Sequence, residues 1–229
     1  MKDLSKPEKA INVKFKNQSL LETALTHRSY INENPEAGEN NERLEFLGDA
    51  VLELIITEFI YEKFPQKPEG ELTNLRASLV NANILGKVAG DLGVNDFLRL
   101  SRGELKDIGR ARQIILANAF EAIVGAIYLD NGHDSAKNFI LRVLEPKIPE
   151  ILEKILYKDA KSLFQEEAQE RVGITPTYEV VKEWGPDHDK HFIVGVYLEK
   201  ELVAEGEGAS KQEAQQQAAH LALKAKNWG

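Results

Sequence analysis

The chain has 229 residues, 42% hydrophobic and 29% charged, enough for one full domain plus a small one and too apolar for wholesale disorder. The absence of cysteine excludes disulfide frameworks, Cys-ligated zinc, iron–sulfur clusters and thiol chemistry, and leaves oxygen-ligated metals as the natural cofactor class. With 29 Lys and Arg against 37 Asp and Glu the formal charge is −8, which speaks against a protein that binds nucleic acid through bulk electrostatics alone.

No run reaches the roughly eighteen consecutive apolar residues of a membrane span, and the N-terminal MKDLSKPEKA lacks the apolar centre of a signal peptide. A soluble, cytoplasmic protein without membrane contact is expected. From Leu20 to about Leu156 apolar residues recur at helical spacing, as in LLETALTHRSYI, LEFLGDAVLELIITEFIYEKF, LTNLRASLVNANILGKVAGDL and IILANAFEAIVGAIYLD. Turn chemistry separates these runs at Asn34-Pro35, Pro65 with Pro68-Glu69-Gly70, Ser101-Arg102-Gly103 and Asn131-Gly132. An all-helical domain is expected over residues 1–156.

After Tyr157-Lys158-Asp159 the pattern changes. A short helix over Ala160–Arg171 precedes three runs with strand character, Thr177–Glu183, His191–Glu199 and Leu202–Glu207, and a final helix over about Lys211–Lys226. The order α-β-β-β-α predicts a compact α+β module over residues 157–229. The last helix opens on Ser210-Lys211-Gln212-Glu213, a capping box in which the serine hydroxyl accepts from the amide three residues on and the glutamate reaches back. Gly206 and Gly208 precede it, and two readings stay open: a phosphate-binding helix start, or an ordinary connection from strand to helix.

Glu42, Glu45 and Asp49 are spaced i, i+3 and i+7, on one face of one helix and among residues that belong in a core. A second apolar helix carries Asn118 and Glu121 at i, i+3. Acids bunched in this way repel one another and are costly to desolvate unless a cation compensates them, and a hard divalent ion is the simplest such cation. Spacing alone leaves equally open an amphipathic helix with its acids in solvent.

The run ERLEFLGDAVLEL closely resembles the signature of ribonuclease III, the endonuclease of double-stranded RNA, and ALTHRSY, the PEG at Pro68–Gly70, LRASLV at Leu75–Val80 and FEAIVGAIYLD are similar to the rest of that family's nuclease domain. The second module is similar to a double-stranded-RNA-binding domain in Asp159-Ala160-Lys161-Ser162, Gln165-Glu166, Gln169, Pro176-Thr177-Tyr178, Gly185-Pro186-Asp187-His188 and Gly206-Glu207-Gly208-Ala209-Ser210-Lys211. The resemblance covers nearly the whole chain in the expected order.

It implies an all-α nuclease domain followed by a small α+β double-stranded-RNA-binding domain, acting as a homodimer on duplex RNA with Mg²⁺. Glu45, Asp49, Asn118 and Glu121 correspond to the catalytic metal ligands, Glu42 and Glu69 to acidic positions near the cutting site that meet RNA or the other subunit, and Phe46 to an aromatic plugged into the dimer interface. The competing place for Phe46 is the core of its own subunit. The implied chemistry is phosphodiester hydrolysis to 5′-phosphate and 3′-hydroxyl ends, in the processing of ribosomal precursors and other structured transcripts, messenger and transfer RNA included.

By the same resemblance Ser162, Gln165, Glu166 and Gln169 meet one minor groove, the loop with Pro186 and His188 the next, and Ser210 with Lys211 the phosphates between; solvated helix positions are the alternative. His27 is expected to pack and hydrogen-bond rather than catalyse.

Two departures stand out. The family pattern has aspartate where this chain has Asn118, whose amide oxygen can ligate but carries no charge, so slower cleavage or a non-cleaving RNA-binding homologue are both expected outcomes. Lysines that cluster at the start of the family's final helix are here Lys211 followed by Gln212 and Gln215, and residues 157–229 hold 9 Lys and Arg against 13 Asp and Glu. Modest, shape-led affinity with a shallow salt dependence follows.

Overall fold

The structure, a computed structural model, describes residues 4–106, 109–186 and 189–228, with the backbone alone over 154–159. It divides into two compact units, Met1–Ile151 and Leu152–Gly229. The first is helical: α1 Ser5–Ile11, α2 Gln18–Ala24, α3 Arg28–Glu33, α4 Glu42–Lys63, α5 Glu69–Leu79, α6 Ala82–Asp91, α7 Arg110–Asn131 and α8 His133–Leu144. Of the expected turn residues, Gly132, at φ 84°, ends α7; Asn17 and Asn81, which the sequence reading did not single out, cap α2 and α6.

The core is built around α7. Ile115, Leu116, Phe120, Ile123, Val124 and Ile127 are buried, because α2, α4, α6 and α8 all pack against this helix. A helix packed by neighbours over most of its surface is apolar on most of its faces. That is why Arg110–Asn131 is long and apolar enough by composition to cross a membrane although most of it lies in the core.

The closest packing is between α4 and α7. A Cβ on Gly48 would stand 1.7 Å from the carbonyl oxygen of Glu121, and one on Gly125 would stand 2.3 Å from that of Leu44. No side chain fits at either position, so two glycines in apolar helices let the backbones touch.

Helix α9 spans Ile148–Val172, longer than the expected Ala160–Arg171 because helical backbone continues unbroken from the residues before it. From Leu152 on it belongs to the second unit. There the antiparallel sheet of β1 Thr177–Trp184, β2 His191–Leu198 and β3 Glu201–Gly208 runs in the order β1-β2-β3, followed by α10 Lys211–Lys226. Ala160, Phe164 and Ala168 of α9 and Ala218, Ala219, Ala222 and Leu223 of α10 bury against Val196 and Leu198 of β2. Small side chains on both helices let them lie close to the sheet.

Candidate functional site

The tight α4–α7 contact sets the acidic cluster. It brings Glu45 and Asp49 of α4 to Glu121 of α7, whose carbonyl meets Gly48, and Asn118, one turn before Glu121, to Glu45. Glu45, Asn118 and Glu121 are half-buried and Asp49 is exposed. Burial pushes the Glu121 carboxyl up to about 7, and the neighbouring Asp49 and Glu45 add to the rise. Glu45 is likewise raised, by burial first and then by Glu42 and Asp49, while the side-chain amide of Asn118, directed at it, works against the rise. No cation is among the influences on either group.

These donors are all oxygens, and their mutual repulsion is the condition a hard cation relieves. Among the described residues, however, no three His, Asp or Glu side chains are gathered closely enough to hold an ion by themselves. The fourth corner of the cluster is an amide, which acts on Glu45 in the sense opposite to the neighbouring carboxylates. The donor types, three carboxylates and one neutral oxygen, suit a divalent ion, although the three carboxylates do not close on one point in this structure.

Glu42 is exposed and already matched: Arg28 Nη1 donates to it at 3.2 Å and Asn40 Nδ2 at 3.1 Å. Arg28 was not singled out by the sequence; it stands next to His27 in ALTHRSY, and only the fold brings it to the start of α4. Glu69 opens α5, accepts from Thr73 Oγ1 at 3.0 Å, and lines a groove of about 440 Å³ with Thr57, Tyr61, Leu72 and Arg76. It exerts no influence on Glu45 or Glu121, so it stands apart from the cluster. Phe46 is 82% exposed, which removes the reading in which it fills its own core. His27 caps α3, with its Nδ1 at 3.3 Å from the Ser29 N–H and 2.8 Å from Ser29 Oγ, and burial lowers its proton affinity.

In the second unit Ser162, Gln165, Glu166 and Gln169 are all exposed on the face of α9 opposite Ala160, Phe164 and Ala168. Pro186 is exposed in a tight loop whose Gly185 has φ 95°, a conformation that favours glycine; His188 lies outside the described residues. Ser210 caps α10, its Oγ accepting from the Glu213 N–H at 3.1 Å, and Glu213 reaches back one residue past the cap, its Oε2 accepting from the Ala209 N–H at 2.9 Å. Gly206 and Gly208 serve packing: a Cβ on the first would meet Ala218 N at 2.2 Å and on the second Ala214 N at 2.6 Å. This close approach of α10 to β3 is a packing role that neither sequence reading names, and it leaves both of them open.

A helical domain with carboxylates facing each other across two core helices, followed by an α-β-β-β-α module with a polar helix face, defines a class: a nuclease-type domain joined to an RNA-binding module. Residues 17–148 match the family model described as Ribonuclease-III-like, and residues 160–226 match the double-stranded RNA binding motif. The chain is 45% identical over 224 residues to Ribonuclease 3 of a Nitratiruptor species, covering 98% of this chain and 97% of that one. It is 48% identical over 218 residues to Ribonuclease 3 of Carboxydothermus hydrogenoformans, covering 94% and 92%. Among solved structures, the nuclease domain of the Campylobacter jejuni enzyme superposes with a TM-score of 0.58 at 43% identity, covering 65% of this chain and 98% of that one. A second structure of that Campylobacter domain, TM-score 0.58 at 42% identity and covering 64% and 99%, is described by its flexibility in a region involved in dimer formation. The chain belongs to the ribonuclease III family and is an endoribonuclease of that type with a double-stranded-RNA-binding domain.

Proposed function

We propose that the chain is a Mg²⁺-dependent endoribonuclease that cuts duplex RNA to 5′-phosphate and 3′-hydroxyl ends as a homodimer, processing ribosomal precursors and other structured transcripts in the cytoplasm. The observation that carries this reading is the meeting of Glu45, Asp49 and Glu121 across α4 and α7, where burial and neighbouring carboxylates raise the proton affinity of Glu45 and Glu121 with no cation among the influences on those two. Glu45, Asp49 and Glu121, with the Asn118 amide oxygen, would hold the ion. When bound it supplies an activated water and stabilises charge on the phosphoryl and leaving oxygens. The protein's part is to keep the donors together through Gly48 and Gly125, and the polar face of α9 in the second unit is the surface we assign to the duplex. Phe46, exposed beside the acids, is the contact we assign to the second subunit. Glu42 and Glu69 we assign to contacts with the RNA or that subunit rather than to the ion.

Asn118 leaves the site one anion short of four and lowers the proton affinity of Glu45. We therefore place the native chain as a slow enzyme relative to its Asn118→Asp variant. The same observation favours one other reading, a duplex-binding homologue that does not cut. A Mg²⁺ assay on a labelled duplex separates them: release of 5′-phosphate fragments that Asn118→Asp accelerates supports the enzyme, and tight retention of intact duplex by both proteins supports the binder.

A further inference from the structure

The second unit carries a net negative charge, and several of its cations are tied to acids: Arg171 to Glu167, Lys190 to Glu183 and Lys226 to Glu201. Lys161 is arranged differently. Its Nζ lies 5.1 Å from the centre of the Tyr178 ring and donates to Gln215 Oε1 at 2.9 Å, and its backbone N–H donates to Gln216 Oε1 at 3.0 Å. The side chain is half-buried and, among the described residues, has no carboxylate partner. An aromatic face and an amide oxygen orient an ammonium without neutralising it. A partly desolvated cation held in one place without a counter-ion costs free energy that an incoming anion recovers.

Its position supplies the anion's identity. Gln215 is one turn along α10 from Lys211, on the same face, and the Lys211 Nζ lies 5.6 Å from the centre of the Phe192 ring. Lys161 therefore sets its charge beside the position that a lysine at 215 would fill, roughly 6 Å along the helix from Lys211. It also adjoins Ser162 at the edge of the exposed polar face of α9. Lys182, which lies over Trp184, is a different case, because that ring stacks on His191 on the sheet face away from the helices.

We propose that Lys161 is a phosphate-contacting residue of the duplex-RNA interface, lent by α9 to the start of α10, where Gln212 and Gln215 leave Lys211 otherwise alone. Gln215 and Gln216 are the positioning residues that hold it. The inference rests on the reading of this unit as a duplex-RNA binder and assigns one of its few phosphate contacts.

The test is fluorescence anisotropy of the full chain, without divalent metal, on a labelled RNA duplex of roughly 20 base pairs, longer than the span of one module. Binding is measured over a series of salt concentrations. Lys161→Gln is expected to weaken binding several-fold and to flatten the slope of log K against log salt by about 1 for each module engaged. Lys161→Arg keeps the native slope, and Lys161→Gln with Gln215→Lys, which returns a cation to the same place from the other helix, restores it. Should Lys161→Gln unfold the module by circular dichroism, Lys161→Met keeps the alkyl stem over Tyr178 and reads the same slope. A neutral variant with native affinity and slope overturns the assignment, and so does a double variant as weak as Lys161→Gln, which would show that Lys161 acts by packing. If the native chain fails to bind the duplex, the RNA-binding reading itself falls; if it binds and the variants match it, only Lys161 falls.

Discussion

At Glu121 burial and two neighbouring carboxylates act in one direction, holding the proton on to about pH 7 against the usual 4.5. The folded chain thus keeps a proton that the unfolded chain has lost, so this group's contribution to stability is fully present below pH 4.5 and is lost as pH rises through 7. In the metal-free protein, Glu121→Gln is expected to flatten the fall in melting temperature between pH 5 and 8 and to gain about 1 kcal/mol at the upper end, allowing for solvent screening. Mg²⁺ affinity should run the other way and strengthen as pH rises through 7, because the ion competes with that proton. Isothermal titration of Mg²⁺ at pH 6 and pH 8 checks this, with weaker binding expected at pH 6. In the second unit the Tyr178 hydroxyl is buried without a hydrogen-bond partner among the described residues, and its burial pushes the phenol up to about 12. Tyr178→Phe should therefore be neutral to stabilising, by up to about 1 kcal/mol in urea denaturation.

At the scale of elements, the sequence is most legible where one periodicity holds over many residues. The strands β1 to β3 and the helix α10 fall close to their expected limits, since apolar alternation and the Ser210 cap mark them locally. Helix α9 reads short in the sequence because the change in texture near residue 157 marks composition rather than a break in the backbone, and nothing in IPEILEKILYKDAKSL stops a helix. The acids of the site are visible as spacing, but their meeting is not, since it depends on Gly48 and Gly125, which look like ordinary interruptions of apolar helices. Gly48→Ala tests this. It forces a methyl into the Glu121 carbonyl, should cost about 3 kcal/mol, the upper end for overpacking, and should lower cleavage along with stability as α7 moves off α4. A denaturation midpoint equal to that of the native chain would show that the helices have slack at this crossing.

For the whole molecule, the charge of −8 no longer counts against RNA. Part of the acidity in the first unit is the cluster to which we assign a cation, and the second unit gathers Lys161 and Lys211 near one helix start while pairing other cations with acids. Modest affinity per module makes the proposed dimer useful, because two modules on one duplex raise the effective concentration of each. Phe46 is the most exposed large apolar side chain of the first unit; Phe46→Ala is expected to shift the protein toward monomer in sedimentation velocity and to reduce cleavage at low protein concentration. The four residues at the α4–α7 crossing carry the central claim, and the most direct measurement is a side-by-side rate of duplex RNA cleavage in Mg²⁺ by the native chain, Asn118→Asp and Glu121→Gln. Slow cutting by the native chain, faster cutting by Asn118→Asp and none by Glu121→Gln are predicted; equal rates for the native chain and Asn118→Asp, or undiminished cutting by Glu121→Gln, would contradict the claim.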